Sequence, residues 1–294
     1  MKFGIRMPVP PYGAIESGGY IARFAQMVEE LGFESVWGID HALMNVEYDS
    51  KYPYKKGGRT PLPAEGTMPD PLIMLSYLAA VTRKIRLGTA MLVLPQRHPI
   101  ILAKELATLD GYSDGRLTLG IGVGWVREEV EVLRQNFGDR GRRCDEWIQI
   151  LRALWTQEVS EWDGDFFAFS GVVSSPKPVQ PGGVPIMIGG HTDFAARRAG
   201  RFGDEFYPHW SVDGPNPEAY RALHGVLSEA AIQAGRSPED IGITLTGTTH
   251  REPAELCLEL GAERCVILPP GGDLDGKLPI RLERFVREVM EPLR

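Results

Sequence analysis

Two ionisable residues stand side by side where an apolar run ends. In SVWGIDHALM, Ser35 to Met44, a valine and a tryptophan read as a buried strand that stops at Asp40-His41. A carboxylate beside an imidazole suits proton transfer near neutral pH, since histidine titrates there and an acid can fix its tautomer. The same pair equally fits a bland role, with Asp40 capping the next segment and His41 held by backbone. A second candidate is Gly189-Gly190-His191-Thr192, ahead of Asp193-Phe194-Ala195. Two glycines and a threonine N-cap expose backbone N–H groups at the positive end of a helix, which suits an anion. Gly122 and Gly124, just before Trp125, fit close approach either by a ligand or by a packed helix. His98 and His209 fit structural roles better, His98 because Pro99 follows it. The basic cluster Lys51, Lys55, Lys56 and Arg59 reads as a solvated loop surface or, less simply, as a contact for an acidic ligand tail.

These residues need a scaffold that brings them together. Strand-like segments at 3–8, 35–39, 85–95, 116–125, 185–190, 204–207, 242–246 and 265–268 alternate with helix-like ones throughout. Ile21, Phe24, Val28 and Leu31 share a helical face that ends at Gly32, and Asp70-Pro71 is an N-cap followed by proline at N1. Strands alternating with helices imply a parallel sheet. Eight such units predict an α/β fold closed into a (β/α)8 TIM barrel, which typically takes about 250 residues. A doubly wound sheet usually wants a glycine-rich turn after strand one, and here that strand runs into Met7-Pro8-Val9-Pro10-Pro11. Two insertions are expected: Asn45 to Met68 after strand two, long enough to be a functional lid, and Thr156 to Val184 before strand five, with a hairpin at Gly164 to Gly171. All 294 residues are read as one domain. In a barrel the reactive groups lie at the C-terminal strand ends, and this gathers Asp40-His41, Ala90-Met91, Gly122 to Trp125, Gly189 to Thr192 and His209 at one mouth.

Composition removes several alternatives. The net charge is -7 and no run of Lys and Arg is long enough to track a phosphate backbone, so nucleic acid is not expected as a partner. No apolar run reaches membrane-spanning length, and the N-terminus is proline-broken, unlike a signal segment. The three cysteines have neither metal nor disulfide spacing. A cytoplasmic protein with no membrane partner is expected. The six histidines show no metal-ligand spacing, and no G-x-S-x-G is present, so a metal hydrolase or a serine nucleophile is disfavoured.

Four stretches in order, ELGFESVWGIDH, IRLGTAMLVLPQRHPIILAKELATLDGYSDGRLTLGIGVGW, RRCDEWIQILRALW and VQPGGVPIMIGG, resemble the bacterial-luciferase-like flavin-dependent oxidoreductases, in particular the branch using the deazaflavin coenzyme F420. The resemblance spans essentially the whole chain and implies the same barrel. It implies that Asp40 and His41 face the coenzyme ring, with His41 exchanging the proton that accompanies hydride transfer and Asp40 fixing the imidazole or bonding the ring. It implies a non-prolyl cis peptide at Ala90-Met91 behind the ring. Gly122, Val123, Gly124 and Trp125 would lie beside the coenzyme side chain, and Gly189, Gly190 and Thr192 would take its phosphate. Trp37 and Trp125 would lie close to the ring. Members that oxidise sugar phosphates or secondary alcohols tend to carry a glutamate where Trp125 stands. That departure implies no His41–glutamate pair here, and a pocket for a small, flat or hydrophobic substrate. The family usually forms homodimers. The alternatives are a monooxygenase using FMN reduced by a separate reductase, and a flavin-binding barrel without turnover. No metal is implied.

Overall fold

The structure, a computed structural model, describes residues 1–8, 15, 17–55, 57–61, 66–210 and 214–294. The barrel is built from β1 (Lys2–Arg6), β2 (Ser35–Gly38), β3 (Arg86–Thr89) continued by β4 (Leu92–Val93), β5 (Leu117–Gly122), β8 (Ile186–Gly189), β9 (Glu205–Tyr207), β10 (Gly242–Gly247) and β11 (Arg264–Ile267). Neighbouring strands pair in parallel around the ring. The β3–β5 pairing, Leu87 opposite Leu117 and Gly88 opposite Thr118, completes the circuit. Around it run α1 (Gly18–Glu30), α2 (Pro71–Val81), α3 (Pro99–Tyr112), α4 (Arg127–Val132), α5 (Arg140–Thr156), α6 (Asp193–Phe202), α7 (Pro217–Gln233), α8 (Arg251–Glu259) and α9 (Lys277–Phe285). The caps at Asp70 and Thr192 match the sequence reading, and Ser17 adds a third. Asp70 accepts from the Leu72 and Ile73 amides, Ser17 from Tyr20, and Thr192 from Ala195.

Strand alternation separates two packed regions. Phe3 and Ile5, Leu119 and Ile121, and Ile186 and Ile188 point outward and join the helices in the main core. Residues between them point to the barrel axis, where Trp37, Met187, Tyr207 and Val266 form a second cluster. Trp37 fills that axis because its neighbours lack side chains. A Cβ on Gly88 would lie 2.2 Å from its ring and one on Gly4 2.6 Å from its Nε1. Beneath it Arg264 closes the axis. Its guanidinium bonds Glu34 at 2.9 and 3.1 Å and Thr244 at 3.1 Å, and pairs with Glu205. Burial opposes that charge, but the two carboxylates push the Arg264 pKa further above its usual value. The mouth is therefore the end of the axis left for a ligand.

The third strand does not run unbroken from Ile85 to Pro95. Between Gly88 opposite Thr118 and Leu92 opposite Ile121, the residues Thr89 to Met91 face only Leu119 and Gly120. That extra residue is a bulge, and the Ala90-Met91 peptide within it is cis. The hairpin before β8 also begins earlier than Gly164. It comprises β6 (Ser160–Asp163) and β7 (Ala168–Val172), so the stretch Gly164 to Gly171 covers its turn and second strand only. Glu146 on α5 holds the turn by accepting from the Phe166 and Phe167 amides and the Trp162 indole.

Candidate active site

At the mouth Asp40 and His41 diverge. Asp40 is buried, accepts from the Val93 amide at 2.9 Å and from Arg97 at 3.0 Å, and Arg97 reaches on to Asp70 at 2.8 Å. Burial pushes the Asp40 carboxyl above its ordinary range although Arg97 and the Val93 amide oppose this. Asp40 thus ties the end of β2 to β4 and, through Arg97, to the cap of α2. The expectation that it fixes the imidazole of His41 is corrected, because that partner is Glu129.

Glu129 is fully buried on α4, one turn beyond Trp125. Its Oε2 lies 2.9 Å from His41 Nδ1, and its Oε1 accepts from the Ala42 amide at 2.7 Å and the Leu43 amide at 3.4 Å. A His41–glutamate pair is therefore present. The acid paired with His41 here stands four positions after Trp125. The preceding residue, Glu128, anchors the next part of the same loop. It accepts from the Asp49 and Ser50 amides at 2.7 and 3.1 Å and from the Ser50 hydroxyl at 2.6 Å. Against the opposing effect of burial, these bonds hold its carboxyl down to about 2.

So anchored, the described part of the 45–68 insertion lies over the mouth as an aromatic row. Trp125 meets His41 at 5.9 Å, Tyr48 at 5.9 Å and Tyr52 at 5.2 Å between ring centroids. Tyr52 meets Tyr54 at 5.4 Å, and Tyr54 reaches His191 at 4.8 Å and His209 at 4.5 Å. Of the basic cluster, Arg59 lies over Tyr48, Lys51 and Lys55 are exposed, and Lys56 falls outside the described residues. His98 packs on Phe167 of the hairpin at 5.0 Å.

Opposite His41, Tyr207 and His209 share one hydroxyl: Thr246 Oγ1 is 2.9 Å from the Tyr207 phenol and 3.3 Å from His209 Nδ1. Burial, with Arg6 and His191 adding to it, pushes His209 down to about 3, and burial raises the Tyr54 and Tyr207 phenols to about 12. At neutral pH these groups are uncharged. A base whose proton affinity is lowered by folding costs stability as pH falls from its unfolded value, about 6.5, toward 3, and nothing above that window. Because the Tyr54 ring covers His209, Tyr54→Ala is expected to bring the His209 titration up above about pH 5. Ring-proton NMR across a pH series reads this directly, and an unchanged midpoint in the variant would rule out Tyr54 as the shield.

The floor is the bulge. The Met91 side chain lies over Gly122 and Gly189, where an added Cβ would come within 3.4 and 2.5 Å of it. Those two glycines make room for Met91 first of all. Gly124 and Gly190 have φ of +82° and +134°, conformations that favour glycine. Arg140 donates to the Gly124 carbonyl at 3.1 Å and sits 3.6 Å over Phe137, with Arg127 4.4 Å from the same ring. Among the described residues Arg140 has no carboxylate partner. Ala90, Met91, Gly122, Val123, Gly124, Trp125, Gly189 and Gly190 are all partly exposed at this end, and Thr192 caps α6 beside them. Trp37 instead lies beneath, packed against Ala90 and Met91. Among the described residues no group of three or more His, Cys, Asp or Glu is placed to hold a metal.

Sequence reasoning missed Arg6, Glu129, Tyr48, Tyr52, Tyr54, Tyr207 and Thr246. Period-two alternation already marks Arg6, Tyr207 and Thr246 as axis-facing residues at strand ends. For Tyr48, Tyr52 and Tyr54 the signal was a loop both long and rich in tyrosine.

The mouth has the form of a site, and comparisons with known proteins say of which family. An uncharacterized protein of Mycobacterium tuberculosis is 33% identical over 227 residues, 76% of each chain. An F420-dependent glucose-6-phosphate dehydrogenase of Nocardia farcinica is 31% identical over 251 residues, 82% of this chain and 66% of the other. Two solved structures share the fold across at least 99% of both chains. They are the monooxygenase RslO1 of Streptomyces bottropensis, with a TM-score of 0.76 at 22% identity, and an F420-dependent secondary alcohol dehydrogenase bound to an F420-acetone adduct, with 0.75 at 16%. The family model for luciferase-like monooxygenases matches residues 1–255, so the chain belongs to that family and is an oxidoreductase.

Proposed function

We propose that the chain transfers hydride between coenzyme F420 and a small organic substrate at the barrel mouth. The observation that carries this is the His41–Glu129 pair, 2.9 Å apart, at the rim of the floor made by Ala90 and Met91. The residues fit a deazaflavin. Ala90 and Met91 offer an apolar backing for a flat ring, with Asp40 and His41 at one side and Val123 and Trp125 at another. Gly122 and Gly189 admit the Met91 side chain that makes this floor, and Gly124 and Gly190 hold backbone conformations that favour glycine at its edge. Thr192 at the α6 N-terminus, with Arg140 and Arg127, would suit an anionic tail.

When bound, the deazaflavin supplies or takes up hydride at a ring carbon. The protein's part is positioning and proton management. Glu129 accepts from His41 Nδ1, which leaves Nε2 as the atom that gives or takes the accompanying proton. The fully buried carboxylate also stabilises the imidazolium when it forms. Trp125, edge-on to the His41 ring, would keep water from that nitrogen, and with Tyr52 and Tyr54 it would give a flat or apolar substrate surfaces to lie on. Asp40, braced by Arg97, holds the strand end in place. Exposed Ile73, Tyr77, Ile101 and Tyr112 on α2 and α3 support a homodimer. The proposal takes residues 1–294 as one cytoplasmic domain; no helix among the described residues is long and apolar enough to cross a membrane.

The test is a pair of equilibrium titrations, with F420 and with FMN, following tryptophan fluorescence. F420 is expected to bind at least about tenfold tighter and to quench Trp125. Preference for FMN would overturn the proposal in favour of a monooxygenase fed by a separate reductase. Failure of both to bind would overturn it as well.

A further inference from the structure

Arg6 ends β1 and pairs in register with Trp37, so its side chain faces the barrel axis at the mouth. It is partly exposed there. Among the described residues its guanidinium has no hydrogen bond and no ion pair. Of the other arginines at this end, Arg97 pairs with Asp40 and Asp70 and Arg127 with Glu131, Arg140 bonds the Gly124 and Phe137 carbonyls, and Arg59 lies over the Tyr48 ring on the lid. Among the described residues the carboxylates nearby are committed too, Glu129 to His41 and two amides, Asp40 to Arg97 and Val93. Among the described residues Arg6 is thus a cation without a counterion, facing the space where a substrate would lie.

We infer that Arg6 recognises the carboxylate of a planar organic acid, whose body lies against Tyr52, Tyr54 and Trp125. This deepens the proposed hydride-transfer reading by naming the substrate class of the same site. Charge complementarity favours a monoanion. The groups feeling the Arg6 charge are the phenols of Tyr52, Tyr54 and Tyr207, uncharged at neutral pH in any case, and the imidazole of His209, which burial keeps uncharged. One guanidinium then faces neutral donors and acceptors. Its planar fork matches the two oxygens of a carboxylate, whereas a phosphate dianion would call for a second cation. The Tyr207 and His209 groups around Thr246 supply further hydrogen-bonding atoms at the same end. The aromatic row accounts for the rest of the ligand, because stacked rings favour a flat, apolar body.

Ligand-observed NMR titration with benzoate, benzamide and inorganic phosphate tests this on the protein without coenzyme, on Arg6→Gln and on Arg6→Lys. Wild type is expected to bind benzoate at least about tenfold more tightly than benzamide. Arg6→Gln should reduce that preference to about twofold or less, and Arg6→Lys should keep an intermediate part of it, since an ammonium lacks the fork. Melting curves establish that each variant folds, and Arg6→Lys carries the test alone if Arg6→Gln does not. Equal binding of benzoate and benzamide, a preference that survives Arg6→Gln, tighter binding of phosphate, or no benzoate binding would each overturn the inference. So would displacement of benzoate by F420, which would place Arg6 on the coenzyme. Failure of F420 to bind at all would sink the hydride-transfer reading while leaving the carboxylate result to be judged separately.

Discussion

In single-turnover mixing with coenzyme F420 and a substrate drawn from a panel of aldehydes, ketones and enones, His41→Ala is expected to slow hydride transfer by about 10²–10⁴-fold. Coenzyme affinity should change far less if, as proposed, the ring lies on Ala90 and Met91 and the tail at the α6 end. Glu129→Gln separates proton transfer from shape. The amide keeps an oxygen for the Ala42 and Leu43 N–H groups, but its NH₂ donates to His41 Nδ1. That forces the ring proton onto Nε2 and removes the charge that stabilises the imidazolium. A loss of about tenfold or more is expected with the fold intact. Glu129→Ala is harsher, because the Ala42 amide and His41 Nδ1 lose their buried partner. It should cost about 2–4 kcal/mol in denaturant unfolding as well as activity. Full hydride-transfer rates in His41→Ala would remove His41 from the chemistry. Full rates in Glu129→Gln would make the pair a loop anchor only.

How far the sequence reached is clearest at this pair. The apolar run ending in Asp40-His41 gave both residues their place, since a parallel strand buried on both faces must end in polar residues at the mouth. It could not say which way each turns, because both lie beyond the end of β2 at Gly38, where strand alternation no longer applies. Asp40 serves Arg97 and Val93 while His41 turns to another element. Finding Glu129 required knowing that β5 feeds α4 through a short turn, which brings a helical residue 88 positions away against His41. The resemblance matched strand-end residues and so looked for the acid at Trp125. The eight strands were legible because each carries its own apolar pattern and stop signal. The lid was legible only as a long, tyrosine-rich stretch: Tyr48, Tyr52 and Tyr54 sit in a loop with no periodicity, and their partners Trp125, His191 and His209 come from three other strand ends. Arg6 was missed for another reason. In KFGIR an arginine at a strand end looks like a surface charge until the alternation of Phe3 and Ile5 toward the helices fixes the face on which it lies.

Gly120→Ala should be the most damaging one-carbon change in the barrel. Thr89 to Met91 bulge out opposite Leu119 and Gly120, and this carries the Thr89 carbonyl over Gly120. An added Cβ would lie 1.9 Å from that oxygen and 2.8 Å from Met187 Cε. The methionine end can swing aside, but the carbonyl is backbone. It is also held from the other side, because the Thr89 hydroxyl donates to the Gly120 carbonyl at 2.7 Å and fastens the two strands together. Either the bulge flattens, shifting Met91 off Gly122 and Gly189, or β3 and β5 part at the pairing that closes the ring. The expected cost is about 3 kcal/mol or more, lowering the melting temperature by roughly 6–12 °C. Gly122→Ala serves as the control, since its Cβ would meet Met91 at an ordinary 3.4 Å, and it should melt within about 3 °C of wild type. If Gly120→Ala melts with the control, the strands at the bulge can separate without loss. The floor beneath the coenzyme would then be a compliant surface, and Met91 could not be what sets the ring in place.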